Sequence, residues 1–180
     1  MSQSPADPTV PGRSCGACTL CCKVMGIVAL GKPMGVWCRH CSESGCTIYG
    51  ERPRDCRVFY CAWLATAALG EEWRPDRSKL VLAYELGGAR IAAYVDPDHP
   101  DAWRREPFYS ALKQWARAPA PVRQVVACLG RHTVAILPDR DVDLGIVGPE
   151  ELIVTLERRS ADGVTIEAVK MHKDDPRLKR

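Results

Sequence analysis

Cys15, Cys18, Cys21 and Cys22 stand within eight residues in the run "CGACTLCC", the last two adjacent. Further along come Cys38 and Cys41 in "CRHC", then Cys46, Cys56 and Cys61. A thiolate is a soft ligand, and a tight C-x-x-C turn lets two sulfurs face one ion. The chain supplies that turn three times: "CGAC" with Gly16 easing it, "CTLC" and "CRHC". Cys15, Cys18, Cys38 and Cys41 together form C-x2-C-x19-C-x2-C, a spacing that suits a four-sulfur zinc site. That grouping leaves Cys21, Cys22, Cys46, Cys56 and Cys61, enough sulfur for a second centre. The rhythm of "CGACTLC" is also that of a ferredoxin-type iron–sulfur ligand run, although no fourth cysteine followed by proline completes it. His40 sits inside the array, where it could replace one sulfur or serve as a surface imidazole on a turn.

The rest of the composition narrows the chemistry. Nine of the ten cysteines lie between Cys15 and Cys61, so the thiols belong to one region and not to the fold as a whole. In a reducing cytosol such a cluster is more often metal-binding or redox-active than bridged, and a disulfide within the vicinal pair Cys21–Cys22 would be strained. The opening "MSQSPADPTVPGRS" has no apolar core of a secretory signal, and no run reaches the length of a membrane span, so a cytoplasmic, non-membrane chain is expected. A formal charge of +3 makes no case for nucleic acid. Arg13, Lys23, Lys32, Arg39, Arg52, Arg54 and Arg57 nevertheless outnumber Glu43, Glu51 and Asp55 around the cysteines, and cations there offset thiolate charge.

The ordered set Cys15, Cys18, Cys21, Cys22, then Cys38, then "GCTIYGERPRDCR" with Cys46, Ile48, Tyr49, Arg52, Pro53, Cys56 and Arg57 resembles the CxxCxxCC family of YkgJ-type cysteine-cluster proteins. The resemblance covers roughly the first third of the chain. It implies chelation of zinc or iron, with an iron–sulfur cluster as one form of the latter, and no common reaction. It also implies that Cys38 goes with Cys46 and that Cys41 is spare, with Cys61 an additional ligand beyond the family core. Tyr49, Arg52 and Pro53 then support the ligands from outside, Arg52 by donating hydrogen bonds to carbonyls or sulfur.

These residues need a scaffold, and the sequence after them provides one. "KLVLAYEL" and "ARIAAYVD" flank Gly87 and Gly88 and predict a hairpin. "PFYSALKQWARA" places Phe108, Ala111, Leu112 and Trp115 on one helical face behind Pro107. "VRQVVACLG", "HTVAILPD", "ELIVTLERR" and "GVTIEAVKM" alternate as strands, the last two joined across "SADG". The expectation is an α+β chain: a disordered leader over 1–14, a cysteine-rich irregular module over 15–66, a mainly antiparallel sheet half with one amphipathic helix over 67–171, and a charged tail over 172–180. Phe59 and Trp63 are expected as an apolar plug beneath the module, and Cys128 as a small buried hydrophobe.

No phosphate-cradling, dinucleotide, nucleophile-elbow or H-E-x-x-H motif is present, and His99, His132 and His172 are isolated, so the sequence names no catalytic group. Three readings follow: a metal-binding protein with zinc or iron ions as its partners, an iron–sulfur protein that moves electrons or assists an enzyme, and a zinc-stabilised nucleic-acid binder, which the weak net charge disfavours. Nine unused thiols would be an oxidation hazard.

Overall fold

The computed structural model describes residues 8–119, 121–160 and 163–179. The cysteine-rich part is built from single turns: α1 (Cys21–Val24), the two-residue strands β1 (Cys41–Ser42) and β2 (Gly45–Cys46), α2 (Arg54–Val58), α3 (Ala62–Ala65) and α4 (Pro75–Ser78). Helices this short have almost no internal hydrogen bonds to stand on, so they persist only where tertiary contacts hold them. Those contacts come from the sheet that follows.

Five strands form it, β3 (Leu80–Glu85), β4 (Arg90–Val95), β5 (Gln124–Leu129), β6 (His132–Ile136) and β7 (Asp141–Ile146), in sequential order. The β3–β4 hairpin is antiparallel, and Gly87 and Gly88 take φ of +66° and +91° at its turn. Between β4 and β5 the pairing is parallel, so the chain must cross over, and α5 (Phe108–Ala116) lies in that crossover. Leu112 is wholly buried and Phe108 nearly so, with Ala111 and Trp115 packing beside them, and Pro107 stands one position ahead of the helix. β5–β6 and β6–β7 return to antiparallel pairing. The sheet is thus mainly antiparallel with one parallel neighbour pair, in an α+β fold.

A separate hairpin, β8 (Glu151–Ser160) with β9 (Gly163–His172), pairs over its full length, and the middle of its "SADG" connection lies outside the described residues. The period of two in β5 and β6 sorts their side chains between two cores. Val125, Ala127, Val134 and Ile136 join the larger cluster with α5, Leu20, Val24, Trp63 and Trp73. Val126 and Ala135 face the other way, onto Ile153 and Ala168 of the hairpin. In the larger core the Trp73 ring meets Phe108 edge-on at 4.8 Å and Trp115 at 5.0 Å.

Of the expected leader over 1–14, residues 1–7 lie outside the described residues, and residues 8–14 are tied to the rest of the chain: Val10 donates its N–H to Leu64 O at 2.8 Å, and the Arg13 guanidinium donates to Thr66 O at 2.9 Å, Leu69 O at 2.6 Å and Trp63 O. Arg13 therefore gathers carbonyls in and after α3 and lies over the Trp63 ring. β7 is a strand that the sequence reading passes over, because Asp141, Asp143 and Gly145 dilute its alternation of Val142, Leu144 and Ile146. Among the described residues no helix is long and apolar enough to cross a membrane.

Candidate metal centre

All ten cysteines are free thiols. α1 is the pivot of the cluster. Leu20 and Val24 are buried in the larger core at the helix flanks, which fixes the turn and leaves Cys21 and Cys22 half-buried along its side. The preceding C-x-x-C closes with Cys18 N–H on Cys15 O at 2.8 Å, and Gly16 takes φ of +50° inside it. Cys38 donates its N–H to Cys22 O at 2.9 Å, which brings the second C-x-x-C against α1. Cys41 closes that turn onto Cys38 O at 2.9 Å and then faces Cys46 across β1–β2. Cys56 lies in α2 behind Pro53, and Cys61 immediately precedes α3, buried against Trp63 and Leu64.

These turns converge on one cavity of about 420 Å³. Cys15, Cys18, Cys21 and Cys22 line it, as do Cys38, Cys46, Cys56 and Cys61. Cys41 stands off the wall, its sulfur 3.9 Å from Ser42 O. His40 and Arg52 reach the same space. Arg39 Nε donates to His40 Nε2 at 3.2 Å, so that ring nitrogen already has a partner. Arg52 donates to Tyr49 O at 3.0 Å and stacks on the exposed Tyr49 ring at 3.7 Å, while Trp63 is buried in the core with Phe59 packed against it. Arg54 and Arg57 are exposed.

Removal from water holds the Cys15, Cys18, Cys56 and Cys61 thiols above their ordinary range, with Arg52 opposing this at Cys15 and Cys56. Burial also raises Cys41. At the vicinal pair the proton is unequally shared. A hydrogen bond from Cys21 raises its own thiol and pulls Cys22 down to about 6, assisted by Cys41, Lys32 and Arg52. Lys32 is itself buried, with its ammonium on Lys23 O at 2.7 Å and on Met25 O. Burial depresses it, while the charges of Cys38, Cys22, Cys21 and Cys56 hold it up.

Eight cysteines line the cavity, with Arg52 on its lining and the Lys32 ammonium within reach of their charges; thiolates are ligands for soft metals. Among the described residues, however, no three His, Cys, Asp or Glu side chains converge closely enough to hold an ion. Ligation would require the thiols to close in.

Sequence reasoning missed the residue that anchors α1. Lys23 is buried, with Nζ 2.6 Å from Asp96 Oδ1 and 2.5 Å from Asp98 Oδ2. Asp96 also accepts from the Asp98 N–H at 3.1 Å and faces His99 Nδ1 at 3.2 Å. The signal available was Lys23 placed between the apolar Leu20 and Val24, and an acidic "DPDHP" after a strand, which could have partnered it. His132 and His172 face Asp143 and Asp174, and neither they nor His99 lines the cavity. Cys128 lies on β5, where removal from water pushes its thiol up to about 12. No protein-family model, curated protein or solved structure matches the chain.

Proposed function

We propose that the protein is a cysteine-cluster metal binder that holds zinc or iron, as its resemblance to the CxxCxxCC family implies. The observation that supports this reading is that eight cysteines, from turns spread between Cys15 and Cys61, line one cavity of about 420 Å³. A core has no need of eight sulfurs around one cavity, whereas thiolates are ligands for soft metals. Bound zinc would supply structural cross-links, and bound iron with sulfide would supply one-electron chemistry. The chain's own residues orient and charge the site. Val24 and the Lys23–Asp96 pair fix α1, Arg52 and Lys32 favour thiolates, and Phe59, Trp63 and Leu64 keep one wall apolar. The reading carries a cytoplasmic location with it, because ten free thiols persist only where the surroundings are reducing.

An iron–sulfur cluster is the second reading, favoured by the C-x-x-C-x-x-C rhythm and by the buried Lys32 ammonium beside four thiols. Elemental analysis and a visible spectrum decide between them, on protein purified without oxygen from cells supplied with both metals. Zinc with no colour supports the chelating role. Iron with matching sulfide and broad visible absorption moves the case to redox chemistry. Absence of both metals overturns the reading.

A further inference from the structure

We propose that Cys41 and Cys46 are an oxidation-sensitive thiol pair at the rim of the cavity, which a peroxide converts to a disulfide that withdraws Cys46 from the thiols lining it. The backbone sets the pairing. The two cysteines stand directly opposite each other in the β1–β2 ladder, and among the described residues no other two cysteines are strand partners. Thr47 donates its N–H to His40 O at 2.8 Å, one step outside them, so they occupy the rung that has no hydrogen bond of its own. In such a rung the Cα atoms are about 4.5 Å apart and both side chains leave the same face of the ribbon. A disulfide spans Cα separations of about 4.4–6.8 Å.

The ribbon is open to a small oxidant. Ser42, Glu43 and Ser44 at its tip are exposed, and Cys41 and Cys46 are each only half-buried. Gly45 takes φ of +116° there, and its carbonyl accepts from Ser42 Oγ at 3.0 Å, so the ribbon holds its own turn. The Cys41 thiol also meets Thr19 and Cys22. Cys22, however, rides on α1, which Leu20 and Val24 lock into the larger core, whereas Cys41 and Cys46 face each other across one short turn. In the reaction one thiolate attacks the peroxide and its O–O bond breaks, so the sulfur becomes a sulfenic acid and the leaving oxygen takes a proton. The second thiol then attacks that sulfur, the S–S bond forms, and the hydroxyl leaves as water with the thiol's proton. Together the two sulfurs lose two electrons and two protons, and one hydrogen peroxide becomes two waters. The bridge thus uses the one clustered cysteine that stands off the cavity wall to withdraw one that lines it.

The test uses the unaltered full chain, reduced and free of metal, exposed to one equivalent of hydrogen peroxide, alkylated, and digested with trypsin without reductant. Cleavage after Arg39 and Arg54 leaves Cys41 and Cys46 on one peptide, because Pro53 blocks cleavage at Arg52, while Cys22 and Cys38 fall on others. The expected result is that peptide lighter by two hydrogens with neither cysteine alkylated, and both alkylated once reductant is added. A cross-link of Cys41 to Cys22 or Cys38, a sulfinic acid at either thiol with no bridge, or full alkylation of the pair overturns the pairing. The consequence for metal rests on the reading above, and it is measured by supplying zinc, or iron with sulfide, to bridged and reduced chain in parallel. The bridged chain should retain less of either, and equal uptake overturns the withdrawal of Cys46. A reduced chain that takes up neither metal overturns the metal reading and leaves the bridge, mapped on metal-free protein, standing.

Discussion

Cys22 and Lys23 are neighbours in sequence with opposite tasks, and each makes a prediction. The hydrogen bond from Cys21 holds the Cys22 thiol below its ordinary value, whereas the other clustered thiols whose values shift are all raised. In the metal-free protein iodoacetamide at pH 7 should therefore modify Cys22 first, and loading metal should abolish that preference, as peptide mass mapping would show. Lys23 and Asp96 have side chains only 5% and 7% exposed, so losing one partner strands a buried charge. Lys23→Ala should destabilise the fold by about 3–5 kcal/mol in urea unfolding. The pair also sets a pH limb. Despite its burial, the Lys23 hydrogen bond holds Asp96 below the ordinary carboxylate value, so the unfolded chain takes up the proton first as pH falls. Its contribution is complete above about pH 4 and drains away below that, and Lys23→Met should lose the corresponding part of the acid limb in a series of unfolding curves.

At the level of elements, the cysteine turns are held from outside themselves. α3 is a single turn, and the carbonyls of Trp63 within it and of Thr66 and Leu69 after it all accept from Arg13. Arg13→Ala should cost about 1–3 kcal/mol, the penalty of leaving such acceptors unpaired, and should loosen Cys61 along with α3. Hydrogen exchange at Leu64 and Ala65, whose N–H groups close onto Cys61 O, is the measurement. The hairpin at Gly87–Gly88 and the buried face of α5 were legible because period and turn chemistry act over a few residues. The cysteines that line the cavity were legible for the same reason, since their spacing is written locally. What could not be read was pairing at a distance: the parallel β4–β5 neighbours, the reach of Arg13 across fifty residues to Trp63, and the burial of Lys23 against Asp96. Each depends on where a crossover or a loop lands, and no local pattern encodes that.

For the molecule as a whole, the decisive feature is that Leu20, Val24 and Trp63 belong to the same apolar cluster as Leu80, Leu112 and Val134. A module that shared nothing with its scaffold would melt alone when a chelator removed its metal. Here stripping the metal should lower the midpoint of one transition seen alike by tryptophan fluorescence and by far-UV circular dichroism, because Trp63, Trp73, Trp103 and Trp115 report on the core that holds the sheet. Two separated transitions would show that the shared core does not couple the halves. The same sharing bears on how the chain is made. Synthesis runs from the N-terminus, so Cys15 through Cys61 leave the ribosome before Leu80, Leu112 or Val134 exists to support them. For that interval the thiols are tethered to a nascent chain with no floor, open to any oxidant and to any ion within reach. On the metal-binding reading, any ion taken up in that interval would be held before the sheet closes beneath it.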